Sequence, residues 1–185
     1  MIIGVDIDNV IADTERELRR LLNEKKGLEL TREHITSYSF DNVAGIERAD
    51  LADIFDMFND GDIFLHLDPI DGARETLEML QRKHRIVLVT ARPPRVEGKT
   101  RTWLARHEIP FDDIVFAEHT KVNGTPYDLF FEDQPEYARE LAEDGTFVLL
   151  FDAPWNRDLV HENIDRVYSW SDVQAFCFPP CALGK

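Results

Sequence analysis

Cysteine is nearly absent from this chain of 185 residues: two occur, Cys177 and Cys181, in the run Cys-Phe-Pro-Pro-Cys near the C-terminus. Two thiols cannot build a disulfide scaffold, so stability has to come from a packed core, and both are expected to be free in a reducing compartment. Positive charge is scarce as well. Lys and Arg number 21 against 36 acids, and the net charge of −15 excludes binding of a nucleic acid polymer through a general basic surface. A small phosphorylated metabolite stays open, because a local metal ion and one or two cations decide that. Long apolar runs are missing too. No stretch approaches the ~20 residues of a membrane-spanning helix, and the start lacks the basic segment, apolar run and small-residue cleavage site of an export signal. The expectation is a cytoplasmic protein with no membrane partner. Asn123-Gly124-Thr125 then reads as a turn, not a glycosylation acceptor. There is no repeat and no low-complexity segment, and the length suits one domain or one domain with a sizeable insertion.

What is present begins at the first residue. Residues 1–13, Met-Ile-Ile-Gly-Val-Asp-Ile-Asp-Asn-Val-Ile-Ala-Asp, form an apolar run that breaks into carboxylates and an Asn. Ile2, Ile3 and Val5 fit a short buried strand, which puts Asp6 and Asp8 where it stops. In open α/β sheets, ligands bind in the crevice beyond the carboxyl ends of the strands. Two carboxylates one residue apart on a strand point the same way. Such a pair can divide the work of phosphoryl transfer: one attacks phosphorus to form an aspartyl-phosphate, the other protonates the leaving oxygen. Mg²⁺ would screen the accumulated negative charge. A solvated strand end with helix-capping acids explains one Asp comfortably, and Asp6, Asp8 and Asp13 together less well.

Thr14-Glu15-Arg16-Glu17 reads as a capping box, followed by Leu18, Leu21 and Leu22 at helical spacing and a Lys25-Lys26-Gly27 stop. Leu51, Ile54, Phe55 and Phe58 mark a second helix, and Ala73, Thr76, Leu77 and Leu80 a third after Asp68-Pro69-Ile70-Asp71-Gly72. Ile86-Val87-Leu88-Val89 looks like a strand buried on both faces, ending in Thr90-Ala91-Arg92. Further on, a helix is expected over residues 100–107 and strands over 114–116 and 128–131. A helix through Tyr137, Ala138, Leu141 and Ala142 stops at Gly145, and residues 146–151 supply another strand. This alternation indicates an α/β layered domain with a mostly parallel sheet and right-handed crossovers. Residues 14–67 are far more than a crossover needs. They read as a helical cap lying over the strand ends, leaving residues 1–13 and 68–185 as the core domain.

The residues just past each strand form a set. Asp6 and Asp8 follow the first strand, Thr90 and Arg92 the second; Lys121 lies in the loop after the third, and Glu132 and Asp133 end the fourth. In a parallel sheet all of these converge on one edge. Asp6 is then the expected nucleophile and Asp8 the general acid and base. Thr90, beside Ala91, offers a hydroxyl to a phosphoryl oxygen, and Lys121 a point charge, with Lys99 the other candidate. Asp133, with Glu132 behind it, completes an oxygen-rich Mg²⁺ site. Singly, each has a plain alternative: Thr90 caps the next helix, Arg92 pairs with a surface acid, Lys121 is one exposed lysine among several. Jointly, four strand ends carrying acid, hydroxyl, cation and acid point to a site. Asn9, Arg92, Tyr38 and Phe40 are the substrate-binding candidates, the aromatics by stacking or lining an apolar pocket. Phe64 is a further candidate of the same kind; Phe55 reads as core of the cap, and Tyr38 and Phe40 stay open between the two roles. Trp155-Asn156-Arg157 either lines the site or is a loop anchored by a buried Trp.

Asp6-Ile7-Asp8-Asn9-Val10, Leu88-Val89-Thr90-Ala91, Lys121 and Phe130-Phe131-Glu132-Asp133, in that order, resemble the haloacid dehalogenase-like (HAD) superfamily of phosphotransfer enzymes. Within it, the opening Asp-x-Asp-x-Val-x-Ala-Asp, the early helical cap and Phe151-Asp152-Ala153-Pro154-Trp155-Asn156-Arg157 look like the 5′(3′)-deoxyribonucleotidase group and its bacterial relatives. The resemblance implies a Rossmann-like three-layer core, a cap after the first strand, and Mg²⁺-dependent hydrolysis of a small phosphomonoester, with a (deoxy)nucleoside monophosphate as the expected substrate. It also implies that Asp6 and the backbone carbonyl of Asp8 ligate the metal alongside an acid matching Asp133. The chain departs from the pattern at Glu132-Asp133, where many members have two aspartates, and at Thr90-Ala91-Arg92, where many have Gly or Asn after the hydroxyl residue. Other readings are a phosphatase of a non-nucleotide metabolite, a receiver-type phospho-acceptor and a non-catalytic phosphate binder. Motif order counts against the receiver, and Asp8 counts against the binder, which has no leaving group to protonate.

Overall fold

The computed structural model describes residues 1–60, 62–117 and 119–179. Cys181 and the side chains of Phe55 and Phe58, singled out above, lie outside what is described; Cys177 is a free thiol.

Six strands form one sheet: β1 (Ile2–Val5), β2 (Arg85–Thr90), β3 (Asp113–Phe116), β4 (Leu129–Glu132), β5 (Phe147–Phe151) and β6 (Ile164–Val167). Their spatial order is β3-β2-β1-β4-β5-β6, and every neighbouring pair is parallel. The expected mostly parallel sheet is thus parallel throughout, with the Rossmann-like order. The chain turns back on itself at β1, whose neighbours are β2 (Ile3 opposite Ile86) and β4 (Ile3 opposite Leu129). That is the topological switch point, where a crevice opens beyond the strand ends.

Both faces of the sheet are buried, and side-chain alternation along β2 makes this visible. Ile86 and Leu88 join the large core that includes Leu77 and Leu80 of α3 (Ala73–Gln81), Trp103 and Leu104 of α4 (Glu97–Arg106), and Trp170 and Val173 of α6 (Trp170–Cys177). Val87 and Val89 join a second core with Phe130, Val148, and Ala138 and Leu141 of α5 (Pro135–Glu143). Continuous apolar runs serve both faces at once, as strands covered by helices on two sides require.

Gly4 sits where these strands crowd most. A Cβ there would lie 2.2 Å from Cδ2 of the fully buried Phe130. Gly4→Ala is therefore expected to overpack the core by about 1–3 kcal/mol, lowering the melting temperature by roughly 2–12 °C at 2–4 °C per kcal/mol for a chain of this size. An unchanged melting curve would mean that Phe130 has room to move.

Between β1 and α3 the chain leaves the sheet for α1 (Thr14–Lys26), a 3₁₀ turn at Arg32–His34, α2 (Arg48–Asp60) and a second 3₁₀ turn at Ile63–Leu65. The excursion is closed at its base, where the Asp13 amide donates to the Asp68 carbonyl (2.9 Å) and the Ile70 amide to Ile11 (2.7 Å). Leu18, Leu22, Leu51, Ile54 and Phe64 are buried in the same large core as the sheet face. Helix α1 ends as expected: Gly27 adopts φ 63° and its N–H bonds the Asn23 carbonyl. Its start differs. Asp13, not Thr14, is the N-cap residue, which places Thr14 at the first helical position, where its hydroxyl donates to the Asp8 carboxylate (2.6 Å). A hydrogen bond to an ionised acceptor is the stronger kind.

Strand β6 and helix α6 have no counterpart in the sequence reading. β6 is a short edge strand with polar Asp165 and Arg166 inside it, so no apolar run marks it. α6 carried a signal that went unused: Ser169 accepts from the Asp172 amide (3.3 Å), an N-cap visible as Ser-x-x-Asp.

Candidate active site

The acids after β1 and β4 lie side by side. Oxygens of Asp6, Glu132 and Asp133 all fall within 4.8 Å of one another, and the three residues are 4%, 0% and 1% exposed. Lys121, itself buried, enters from the loop before β4. Its Nζ is 2.8 Å from Asp6 Oδ1 and 2.6 Å from Glu132 Oε2. Despite burial, which pulls it down, the ammonium is held above its ordinary range by Asp6 and Glu132. Lys99, the other lysine considered, pairs with Asp62 at 2.8 Å and the Asp60 carbonyl, both on the excursion.

Glu132 is fully occupied. Oε2 takes Lys121, and Oε1 accepts the amides of Asp133 (3.1 Å) and Gln134 (3.0 Å). Asp133 is not. Its Oδ2 accepts from Asn9 Nδ2 (3.1 Å), while its Oδ1 is buried without a partner among the described residues. A buried carboxylate oxygen left unpaired costs free energy unless an unseen group satisfies it. Three acids against one lysine leave the cluster short of positive charge. Burial first, then Glu132 and Asp8, push the Asp6 carboxyl up to about 7 against the pull of Lys121. Asp133 is raised well above the carboxylate range by burial, Glu132 and Asp6. An oxygen-ligated divalent cation fits both the orphaned oxygen and the charge deficit.

That fit has a thermodynamic consequence. Between the ordinary carboxylate value of 3.8 and about 7, folded Asp6 keeps a proton that the unfolded chain has released. The metal-free protein should therefore lose stability as pH rises through that window. A divalent cation binds the deprotonated cluster, so its stabilising effect should grow over the same window. Thermal melts from about pH 4.5 to about pH 7.5, with and without cation, read both slopes. A cation effect independent of pH would place binding elsewhere.

Asp8 has the opposite environment. Burial pushes its carboxyl up, but Arg92 and the Thr14 hydroxyl outweigh that and hold it below its ordinary range. Arg92 grips it with two parallel bonds, Nε to Oδ2 (2.9 Å) and Nη2 to Oδ1 (2.7 Å). The guanidinium is itself 3% exposed, donates to Thr100 (3.3 Å) and lies 3.9 Å over the ring of Phe64. Arg92 thus pairs with a half-buried acid inside the site, not with the surface acid considered above. Thr90 does not cap α4. Fully buried, it accepts the Arg92 amide through Oγ1 (3.2 Å), and Ala91 stands on the cavity wall in its place.

A cavity of about 190 Å³ lies above these groups. Asp6, Asp8, Asn9, Lys121 and Arg92 form its polar floor; Leu18, Tyr38, Phe40, Phe64 and Pro93 line the rest. Tyr38 reaches it from the excursion and meets Trp155 edge-on at 6.1 Å. Tyr38 keeps 37% of its surface exposed, but its ring side is desolvated, and this with the carboxylates of Asp133, Asp6, Asp8 and Glu132 holds its phenol above the usual value, so it remains a donor. Phe40 is 5% exposed at φ 59°. Asp13 stands away from this cavity and faces Arg16 at 3.6 Å. In Trp155-Asn156-Arg157 the buried anchor is Asn156, not the Trp: its amide donates to the carbonyls of Asp133 and Phe151, functions no indole could serve together. Arg157 reaches across to Glu33 (2.6 Å).

The sequence model of the family described as 5′ nucleotidase, deoxy (Pyrimidine), cytosolic type C protein matches residues 1–179. A candidate 5′(3′)-deoxyribonucleotidase of Chlorobaculum tepidum is 30% identical over 184 residues, covering 94% of this chain and 88% of its own. A candidate nucleotidase of Halalkalibacterium halodurans is 29% identical over 178 residues, 94% of this chain and 90% of the other. Among solved structures, a candidate HAD hydrolase of Bacillus subtilis bound to magnesium superposes with a TM-score of 0.56 at 14% identity, covering 95% of this chain and 97% of that one, a likeness of fold. Matched along nearly its whole length, the chain belongs to the 5′ nucleotidase, deoxy (pyrimidine), cytosolic type C family of phosphoric monoester hydrolases.

Proposed function

We propose that the protein is a cytoplasmic, Mg²⁺-dependent phosphatase that hydrolyses a small phosphomonoester, a (deoxy)nucleoside monophosphate, through an aspartyl-phosphate on Asp6. The observation that carries this reading is the pairing on one cavity floor of two carboxylates in opposed environments. Asp6 lies in an acidic cluster with an orphaned oxygen beside it, and Asp8 lies in the grip of a guanidinium. Environments that push two titratable groups apart separate their tasks.

Asp6 and Asp133, with the backbone carbonyl of Asp8, would hold Mg²⁺, while Glu132, both oxygens engaged, orients Lys121 and the Asp133 turn. The cation supplies the charge that keeps Asp6 ionised and offsets the charge of the phosphoryl group. Asp6 Oδ then attacks phosphorus in line as the bond to the leaving oxygen breaks, and Asp8 passes a proton to that oxygen. In the second half Asp8 takes a proton from water, which attacks the aspartyl-phosphate and releases phosphate, restoring Asp6. Asp8 can carry a proton only when Arg92 loosens, and an incoming phosphate on the same wall competes for that guanidinium. Lys121 and the end of β2 at Thr90 and Ala91 are the proposed phosphate-binding positions. Tyr38 and Phe40, on the proposed cap of residues 14–67, would face the organic part of the substrate. Above the polar floor the lining is mainly apolar, and both cations of the site are already paired, which favours a neutral, aromatic leaving group over a second phosphate. The net charge of −15 agrees with a small substrate and not a nucleic acid polymer; among the described residues no helix is long and apolar enough to cross a membrane.

The test is a panel of phosphorylated metabolites assayed for phosphate release with Mg²⁺ and with chelator. Nucleoside monophosphates should be turned over, in Mg²⁺ alone. Preference for sugar phosphates would move the substrate class, and undiminished turnover in chelator would overturn the mechanism.

A further inference from the structure

Besides the bond from its own amide to Glu132 Oε1 (3.1 Å), Asp133 is held at three points by neutral side chains. The first is Asn9, whose backbone sits at φ 60°, a region that residues other than Gly and Asn seldom adopt. From there Nδ2 donates to Asp133 Oδ2 (3.1 Å) while Oδ1 accepts the Glu15 amide (2.7 Å), tying the acid to the first turn of α1. The second and third grip the main chain. Asn156 Nδ2 (2.7 Å) and Trp155 Nε1 (3.2 Å) both donate to the Asp133 carbonyl. Asn156 is fixed in turn, because Oδ1 accepts the Ala153 amide (3.2 Å) and Arg166 Nη1 (2.5 Å). The polar side-chain atom of Asp133 left without a partner among the described residues is Oδ1, buried on a carboxylate that shares its cluster with Asp6 and Glu132.

We infer that Asn9, Trp155 and Asn156 are positioning residues that fix the Asp133 carboxylate with Oδ1 turned into the acidic cluster as a metal ligand. The inference rests on the metal-dependent reading above. A carboxylate held only by its Cα rotates and meets a cation in many poses. With Oδ2 bonded from one side and the carbonyl from the other, one pose remains. The residue types fit this task and not merely the turn. Gly at position 9 would satisfy φ 60° without a donor, and Asp would set a carboxylate against a carboxylate. Partners behind a metal ligand are worth about 10–100-fold in metal affinity.

The test is calorimetric titration of the full-length protein with Mg²⁺ alone, for wild type, Asn9→Gly and Trp155→Phe, beside the Mg²⁺ dependence of turnover. Asn9→Gly keeps the backbone conformation and should raise the Mg²⁺ dissociation constant by about tenfold or more. Trp155→Phe keeps the ring against Tyr38 and should raise it by about threefold, the share of one neutral hydrogen bond. At saturating Mg²⁺ the turnover of Trp155→Phe should return towards wild type, because Asp6 and Asp8 are untouched and Trp155 does not line the cavity. A folded Asn9→Gly with wild-type affinity overturns the positioning role. If that variant does not fold, an unchanged constant in Trp155→Phe overturns it equally. A wild type that binds no Mg²⁺ overturns the metal reading itself and the positioning role with it, an outcome distinct from equal binding by all three proteins.

Discussion

Asp6→Asn is expected to abolish phosphate release with Mg²⁺ present, a loss on the order of 10⁴–10⁶-fold as for other enzymes stripped of their nucleophile. The change is close to isosteric, so the amide oxygen can keep the 2.8 Å contact with Lys121 that Oδ1 makes now. What disappears is the ionised oxygen able to form a bond to phosphorus. Folding should not suffer. Asp6 is one of three acids facing a single lysine, and its carboxyl is pushed up to about 7, so its ionised form burdens the metal-free fold at neutral pH. The variant should melt at the same temperature as the metal-free wild type or higher, which separates lost chemistry from lost structure. Wild-type turnover in this variant would sink the aspartyl-phosphate mechanism.

Asp8→Asn is expected to reduce turnover by about 10²–10⁴-fold on nucleoside monophosphates and by much less on an aryl phosphate, whose leaving group needs little protonation. Steady-state rates on both substrates, compared as a ratio, report the proton transfer directly. Equal losses on the two would mean that another group supplies the proton. Here stability moves the other way. Asp8 is the ionic partner of a guanidinium whose side chain is 2% exposed, and breaking a buried pair from one side costs about 3–5 kcal/mol, less whatever the Asn oxygen recovers as an acceptor. Two Asp→Asn changes, two residues apart, are thus expected to shift the melting temperature in opposite directions.

The acids themselves were legible because they sit where apolar runs stop: Asp6 and Asp8 after Ile-Ile-Gly-Val, Glu132 and Asp133 after Leu-Phe-Phe. Their partners were not. Arg92 meets Asp8 across 84 positions and Asn9 meets Asp133 across 124, and nothing in local composition encodes such distances. Thr14 was legible as a helix-starting residue, yet it stands one position inside α1 and its hydroxyl serves Asp8, a contact set by tertiary proximity. Asn156 was overshadowed by the Trp beside it. A buried Asn making bonds to four other residues has no periodicity to announce it. In the sheet, the strands buried on both faces were read directly, while the edge strand β6, with Asp165 and Arg166 in a four-residue run, carried too weak a pattern.

The place of β1 at the centre of the sheet also sets the order in which the enzyme can be made. The strand leading into Asp6 leaves the ribosome before either neighbour: one flank waits for Ile86 and the other for Leu129, and the Trp170 indole that bonds the Val10 carbonyl (2.8 Å) comes later still. Until then the nascent chain carries an unpaired, β-branched edge of the kind that invites association with other chains. Pairing across so long a stretch is slow, because the closure entropy is lost before the contacts form. Translation arrested before Leu129 should therefore yield a polypeptide that holds Asp6, Asp8 and the whole of residues 14–67, yet has no catalytic centre and a marked tendency to aggregate.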